Sequence, residues 1–310
     1  MKNQTSGLSS IQYVLGQQHS IENLNQLKAD EGLAETLMAL GLAHYAQSTK
    51  STLELAAEAV QKTIATSNVN PAQIDACVYA TNTLDLKEQS PDGIVTLLAN
   101  LGLSKAMING VFGWECANLF LAWQNAINLI HTDMADTVLV ITADRCLDPN
   151  QRLVPPGISV LSDGACAALV TRETSKSDFI LRALSHVSKP GMTQIDPNSD
   201  TQNYFVGVGN GLNESAQKAL VQSKFTLTDI NQVCMNNYNL SLLNTFSRKI
   251  GFSPKQLYRK NIGRFGHCWA ADAWINLSDY QESGELQAGQ GVALMGTSPF
   301  HWSSAVVTKV

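Results

Sequence analysis

The chain of 310 residues, of which 44% are hydrophobic and 15% charged, is long enough to bury one large core or two fused ones. Its net charge of -5, without a run of lysine or arginine, argues against nucleic acid and against an anionic membrane surface as partners. The most apolar window, 111–130, is too polar for a membrane-spanning helix, and residues 1–6 lack an apolar signal core.

The cysteines indicate a reducing compartment. They form no CxxC pair and no short disulfide-type spacing, so we expect reduced thiols, a cytoplasmic location, and neither a metal nor a cofactor. Most cysteines in such apolar surroundings are small buried hydrophobes. The six are Cys77, Cys116, Cys146, Cys166, Cys234 and Cys268.

Helical and β-branched segments alternate along the first part of the chain. Residues 51–66 predict a helix and 77–80 a strand. A glycine turn around Cys116 then leads into an apolar helix and a strand over 137–142. Residues 162–170 predict a tight acidic-glycine turn entering an apolar strand, although turn chemistry alone also fits an ordinary β-turn.

The same order recurs in the second part. Residues 215–223 predict a helix, 226–229 a capped turn and 233–235 a strand. A glycine turn at His267 follows, then a helix to about residue 280 and a strand over 291–295. The repetition predicts α/β architecture in two similar halves, 1–172 and 173–310.

Cys116 is the candidate nucleophile because it lies at the head of an apolar helix. The unpaired N–H groups of a helix N-terminus favour thiolate over thiol, and the N–H of Cys116 could also contribute to an oxyanion hole. The alternative is a buried cysteine without chemistry.

His267, at the head of the matching helix of the second half, is the candidate base. A nucleophilic cysteine needs a partner that accepts its proton, and histidine titrates in the working range. The alternative is a core histidine whose ring is satisfied by backbone groups. His301, after the last inner strand, is a weaker reserve candidate.

Asn236 and Asn239 follow the strand over 233–235, where open α/β sheets place groups that contact ligands. Asn236 could donate to a substrate carbonyl and Asn239 could orient a neighbour. A helix N-cap or an Asx turn explains these asparagines equally well.

Together these segments resemble the thiolase superfamily, most closely its β-ketoacyl-acyl-carrier-protein synthase III branch. The Cys116-Ala117 segment and its helix resemble the nucleophile motif, and Asp163-Gly164-Ala165-Cys166-Ala167-Ala168 resembles Gly-Asp-Gly-Ala-Gly-Ala. Asn236-Asn237-Tyr238-Asn239 stands where the family has His-Gln-Ala-Asn. Arg264-Phe265-Gly266-His267-Cys268-Trp269-Ala270-Ala271 stands where it has Arg-Tyr-Gly-Asn-Thr-Ser-Ala-Ala. Phe300-His301-Trp302-Ser303-Ser304-Ala305 resembles its closing Phe-Thr-Trp-Gly-Ser-Ala. The resemblance implies a thiolase fold with α-β-α-β-α layers.

The chain departs from the family pattern in its site. The family order is Cys, His, Asn, whereas here it is Cys116, Asn236, His267, an exchange that is similar to the thiolases. The second catalytic cysteine of thiolases is missing from 296–299, which disfavours a thiolase. The resemblance places Ser298, whose N–H would complete the oxyanion hole with that of Cys116, at the family's glycine loop.

The substrate-entry side also differs. Residues around Glu35, Ala43 and Pro155 replace the family's coenzyme A anchors, and the carrier-docking arginine falls near Ser241. We expect Asn239, Trp114 and His301 to contact the substrate.

The resulting hypothesis is a ketosynthase III-like acyltransferase or condensing enzyme of specialised metabolism. An acyl group on coenzyme A or an acyl carrier protein would pass through Cys116 to a carbon, oxygen or nitrogen nucleophile of a small molecule. His267 would be general base and acid, and Asn236 an oxyanion or orienting group. The alternative is a catalytically weak partner subunit; the resemblance implies a homodimer or heterodimer either way.

Overall fold

The computed structural model describes residues 5–28, 31–154 and 157–310, so Pro155 lies outside the described residues. The described strands are β1 Gly7–Leu15, β2 Gln17–Ser20, β3 His44–Gln47, β4 Ala76–Ala80, β5 Met107–Val111, β6 Thr137–Asp144, β7 Leu153–Val154, β8 Ser159–Val160, β9 Gly164–Thr171, β10 Phe179–Ser188, β11 Ile230–Met235, β12 Gly291–Thr297 and β13 His301–Lys309. The described α-helices are α1 Glu31–Ala39, α2 Thr52–Ser67, α3 Pro91–Asn100, α4 Asn118–His131, α5 Thr201–Ser223, α6 Leu240–Ile250, α7 Ile262–Phe265 and α8 Asp272–Glu282.

Nine strands form one continuous mixed sheet in the order β11-β12-β13-β10-β1-β9-β6-β4-β5. Two residue pairs, Gly7 with Ile180 and Leu8 with Phe179, join β1 to β10 and so connect a five-stranded part to a four-stranded part. The predicted division near residue 172 falls between the end of β9 and the start of β10.

Alternating side chains let each part of the sheet bury both faces. In β4, Val78 packs into the same core as helices α4 and α8, whereas Tyr79 faces the core under α2. In β12, Leu294 faces the central core and Met295 the core under α5. Helices α4 and α8 therefore lie between the two parts of the sheet, with α2 and α5 outside, and the predicted α-β-α-β-α layering is confirmed.

The predicted helix over 51–66 is confirmed as α2, which Ser51 opens with a capping box that includes Glu54. Helix α5 begins at Thr201, well before the predicted start at residue 215. Three glycines near its start lower the helix propensity of this segment and hide it from sequence reasoning. One of them, Gly211, is required because an added Cβ would lie 2.2 Å from the Trp302 ring.

Among the described residues, no helix is long and apolar enough to cross a membrane.

Candidate active site

Cys116 lies in a 3₁₀ turn, Glu115–Ala117, that leads directly into α4. The side chain of Asn118 fixes this turn from both sides. Its Oδ1 accepts the Trp114 N–H at 2.9 Å, and its Nδ2 donates to the Thr81 carbonyl at 2.9 Å. The candidate nucleophile therefore lies where helix α4 begins, as predicted, on a turn that is hydrogen-bonded to the end of β4.

His267 is held by the segment that follows β8. Its N–H donates to the Val160 carbonyl at 2.8 Å, and its carbonyl accepts the Ser162 N–H at 2.8 Å. Gly266, at φ 67°, allows this close approach, because an added Cβ would lie 2.5 Å from the Val160 oxygen. The Ser162 hydroxyl also donates to the Phe265 carbonyl.

The structure brings Cys116 and His267 together and adds Asp272 to them. His267 Nε2 lies 3.2 Å from Cys116 Sγ, and His267 Nδ1 lies 2.5 Å from Asp272 Oδ2. Asp272 is fully buried and accepts the N–H groups of Cys268 and Asn237, each at 2.7 Å. These contacts place a candidate nucleophile, a candidate base and a carboxylate that orients the base in series.

Asp272 is the main functional residue that sequence reasoning missed, although a signal for it exists. Asn118 and Asp272 are the first residues of α4 and α8, and each accepts the N–H four residues earlier. By this correspondence Cys116 matches Ala270, and His267 precedes Ala270 by three residues. Cys116 and His267 are therefore not at equivalent positions, contrary to the prediction.

The charges of the triad depend on one another. Burial raises the pKa of the Cys116 thiol, and His267 opposes that shift. Burial alone would lower the pKa of His267, but the charges of Asp272 and Cys116 raise it to about 10. The thiol and the imidazole titrate as a pair, so the ionisation of Cys116 is linked to the charge on His267.

A cavity of about 270 Å³ opens over Cys116 and His267. This volume is close to the lower end for small-molecule pockets, roughly 300 Å³. Much of the wall is apolar, and α5 and α6 supply a large part of it. The apolar lining residues are Leu153, Val154, Ile158, Leu161, Phe205, Val208, Leu242, Phe246, Trp269 and Pro299.

Asn82 is a second residue that the sequence analysis did not identify. It lines the cavity, and its Nδ2 lies 4.0 Å from Cys116 Sγ. Asp144, at the end of β6, positions it by accepting the backbone N–H groups of Asn82 and Thr83 at 2.6 and 2.9 Å. Burial raises the pKa of Asp144 to about 6.

Ser298 lines the cavity, but its N–H donates to the His301 carbonyl at 2.8 Å. That bond closes the tight turn between β12 and β13, in which Pro299 follows Ser298. The prediction that this N–H completes the oxyanion hole is therefore wrong in this structure.

Asn236 is buried directly after β11, as predicted, but its side-chain amide forms hydrogen bonds with backbone groups. Its Oδ1 accepts the Thr297 N–H at 2.8 Å and its Nδ2 donates to the Trp269 carbonyl at 3.3 Å. Among the described contacts, none joins this amide to Cys116 or His267. The group that orients His267 is thus Asp272, in place of the predicted Asn236.

Three predicted substrate-binding residues have structural contacts instead. Asn239 caps α6 by accepting the Leu242 N–H at 2.9 Å, and it donates to a backbone carbonyl, so the N-cap alternative is correct. Trp114 stacks on His301 with ring centroids 4.8 Å apart and meets His186 edge-on. None of the three predicted residues is among the described residues that line the cavity.

Across the described residues, no group of three or more His, Cys, Asp or Glu side chains is placed to hold a metal ion.

Two family models match the two segments of the chain that carry the site residues. Residues 113–187, which include Cys116, match the family model of 3-oxoacyl-[acyl-carrier-protein (ACP)] synthase III. Residues 220–309, which include His267 and Asp272, match the model of its C-terminal region. The two matches together cover more than half of the chain.

Individual proteins agree with these models. The chain is 24% identical over 276 residues to a β-ketoacyl-[acyl-carrier-protein] synthase III of Fusobacterium nucleatum subsp. nucleatum, covering 81% of this chain and 82% of that protein. Its fold is similar to that of the acyltransferase ChlB3, with a TM-score of 0.85, 19% identity, and coverage of 99% of this chain and 98% of the other.

A further structure with the same fold is OleA of Xanthomonas campestris with bound lauric acid and lauroyl-CoA. Its TM-score is 0.84 at 16% identity, with coverage of 99% of both chains. The family models, the synthase III relative and the shared fold together show that this chain belongs to the ketosynthase III-like branch of the thiolase superfamily.

Proposed function

We propose that this protein is an acyltransferase that moves an acyl group from a thioester, through Cys116, to a small-molecule acceptor. The observation that carries the proposal is the 3.2 Å contact between Cys116 Sγ and His267 Nε2 at the base of the cavity, with Asp272 on the other ring nitrogen. ChlB3, which has the same fold, is named an acyltransferase. We assign the activity to specialised metabolism.

In the first half-reaction, the proton of Cys116 moves to His267 Nε2 as the sulfur attacks the thioester carbonyl. The tetrahedral intermediate collapses with loss of the donor thiolate, which takes the proton from the imidazolium. Asp272 keeps the ring oriented and supports its charge through both transfers, because its carboxylate contacts Nδ1.

In the second half-reaction, the acceptor attacks the acyl carbon on Cys116 and gives its proton to His267. The bond from the acyl carbon to sulfur then breaks and the thiol is regenerated. We place the N–H of Cys116 and the amide of Asn82 as the donors to the oxyanion, since both lie beside the reacting sulfur.

The donor is a thioester of coenzyme A or of an acyl carrier protein. The synthase III relative is named for a carrier protein, and OleA was crystallised with lauroyl-CoA. A catalytically weak partner subunit, the alternative hypothesis, is disfavoured because such a subunit would have no need of a carboxylate–imidazole–thiol series.

The proposal is tested by incubating the pure protein with butyryl-N-acetylcysteamine and measuring its intact mass. The expected result is one butyryl adduct on the wild type and none on Cys116→Ala. Cys146→Ser is the matched control, because Cys146 donates to the Asp148 carbonyl through Sγ, a bond that serine can retain.

Absence of an adduct on the wild type, or an equal adduct on Cys116→Ala, would contradict the enzyme proposal and favour the partner-subunit alternative. Thermal unfolding of each variant separates loss of the nucleophile from loss of the fold.

A further inference from the structure

Glu115, the residue before the nucleophile, has no task in the mechanism above. It lies on the same 3₁₀ turn at φ 46°, a backbone conformation that non-glycine residues seldom adopt. It also lines the cavity beside Cys116. A strained turn thus carries a carboxylate into the space where the substrate must react.

Glu115 is the only carboxylate among the described residues that line the cavity, and no lysine or arginine lines it. The neighbouring Arg152 does not supply a cation to the cavity. Its guanidinium lies 2.9 Å from the Asp163 carboxylate, and neither residue lines the cavity. Asp144, buried nearby, adds a second negative charge that acts on Cys116. Glu115 and Asp144 therefore make the electrostatic potential at the thiol more negative, and the His267 imidazole is the group that opposes them.

The Glu115 carboxylate also has no partner within the part of the chain that the structure describes. There, no backbone or side-chain group donates a hydrogen bond to it or forms an ion pair with it. Burial raises the pKa of Glu115, so its ionised form needs a positive or hydrogen-bonding partner. Tyr204 lines the same cavity, and burial, with the charges of Glu115 and Cys116, raises the pKa of Tyr204 to about 12.

We propose that Glu115 selects the substrate by charge: the group bound beside Cys116 carries a hydroxyl or ammonium donor, and substrates with a carboxylate at this place are rejected. The missing partner of Glu115 is then supplied by the substrate. Glu115 is a specificity residue in this scheme, and His267 remains the group that takes the acceptor proton.

The proposal rests on the proposed acyl transfer and narrows it. Decarboxylative condensation would need an extender thioester whose carboxylate enters this cavity, where Glu115 repels it. An amine or alcohol acceptor that carries a second hydroxyl or ammonium group instead offers that group to Glu115. Its neutral nucleophilic nitrogen or oxygen then gives its proton to His267 and attacks the acyl carbon. The transfer is therefore N- or O-acylation.

The first test reads the charge selection without any acyl transfer. Cys116 is modified with 2-aminoethyl methanethiosulfonate, which is cationic, and with 2-sulfonatoethyl methanethiosulfonate, which is anionic. In each case Cys116 sulfur forms a disulfide and methanesulfinate leaves. We expect the cation-to-anion rate ratio to fall by about 10-fold in Glu115→Gln, the size of one unit charge removed at short range.

Two variants control this measurement, which is made on the peptide that contains Cys116. Glu115→Asp retains the charge and should retain much of the ratio. Glu282→Gln removes a carboxylate from the exposed end of α8 and should not change it. Equal ratios in the wild type and Glu115→Gln overturn the proposal.

The second test uses protein already butyrylated on Cys116. Ethanolamine and a malonyl thioester compete for the acyl group, and we expect transfer to the amine to dominate in the wild type, with a partition that falls about 10-fold in Glu115→Gln. A dominant condensation product in the wild type overturns the proposal. If Cys116 is not butyrylated but the cation-to-anion modification rate ratio still falls in Glu115→Gln, acyl transfer is overturned and charge selection remains supported.

Discussion

Asp272 performs two tasks with one carboxylate, since it orients His267 and also accepts two backbone N–H groups at the start of α8. Asp272→Asn should keep much of the turn, because Asn118 holds the equivalent turn before α4 with an amide. It should slow acylation of Cys116 by about 10²–10⁴-fold, the range for a disabled general acid–base group. Rapid-quench mass spectrometry measures that rate, and an unchanged rate would confine Asp272 to structure.

The same variant should change the pH dependence of acylation. The carboxylate raises the pKa of His267 to about 10 against the opposing effect of burial, so the neutral imidazole that accepts the Cys116 proton increases as the solution becomes alkaline. Without this charge the pKa of His267 falls, and the rise of the acylation rate with pH should occur at lower pH. A pH profile with the same rise in both proteins would contradict this assignment.

Asn82 should support the thiolate through its amide. Asn82→Leu removes the donor that lies 4.0 Å from Cys116 Sγ while it keeps a side chain of similar size. We expect acylation to slow about 10-fold, the cost of losing one hydrogen bond to a charged group. The pH midpoint of Cys116 alkylation by iodoacetamide should rise, because the thiolate loses a stabilising donor; a constant midpoint would assign Asn82 to cavity shape alone.

At the residue scale, the sequence was sufficient to identify Cys116 and His267 but not the residues that position them, Asp272 and Asn82. Cys116 and His267 could be inferred because each follows a glycine turn and precedes a helix, and because a thiol nucleophile needs a base. Asp272 resembles any first-turn acidic residue of a helix, and its role depends on a 2.5 Å contact across a turn. Ser298 failed because a backbone N–H carries no sequence signature, and its use in a turn shows only in three dimensions.

Strand β5 forms one edge of the nine-stranded sheet and presents apolar side chains outward. Met107, Ile108 and Phe112 are 39%, 37% and 68% exposed. An unpaired edge with apolar side chains favours pairing with another chain, and we propose this face as the interface of the expected dimer.

Ile108→Glu should break that dimer, because a two-fold axis would bring each new charge near its copy. Light scattering after gel filtration should then show a shift from dimer to monomer mass. Val221→Glu, at a position on α5 that is 78% exposed, is the matched control. A monomeric wild type would contradict the interface.

Elements with a strong local pattern could be predicted, whereas those that depend on distant packing could not. Helix α2 has a capping box and an apolar face, so its start at Thr52 was predicted to within one residue. In α5, by contrast, Gly211 is explained only by tertiary packing, since the Trp302 ring lies where the Cβ of residue 211 would be.

Across the whole molecule, the buried pair Arg152 and Asp163 ties together the segments around the triad. Both side chains are 2% exposed, and the guanidinium also donates to the Leu161 carbonyl at 3.0 Å. Arg152→Met should lower the free energy of unfolding by about 3–5 kcal/mol, because it leaves a buried carboxylate without its partner. Urea unfolding followed by circular dichroism measures this loss.

The double variant Arg152→Met/Asp163→Asn tests the cause of that loss. The asparagine removes the uncompensated charge and keeps an acceptor for the backbone N–H groups of Ser48 and Cys146, so the double variant should be more stable than Arg152→Met alone. A double variant that is less stable by the sum of the two single changes would contradict the assigned cause.

The layered architecture could be predicted because the repeated order of helix, strand and glycine turn is legible in the chain. The joining of both parts into one sheet could not be, since it depends on two residue pairs between β1 and β10.

The turn that carries Cys116 and the segment that carries His267 lie 151 positions apart along the chain. During synthesis the thiol therefore leaves the ribosome long before its base exists. Until the His267 backbone bridges to residues 160 and 162, the Cys116 thiol has no base within reach and remains an ordinary cysteine thiol. In the proposed mechanism, Cys116 therefore gains its base only when the second half of the chain has folded against the first.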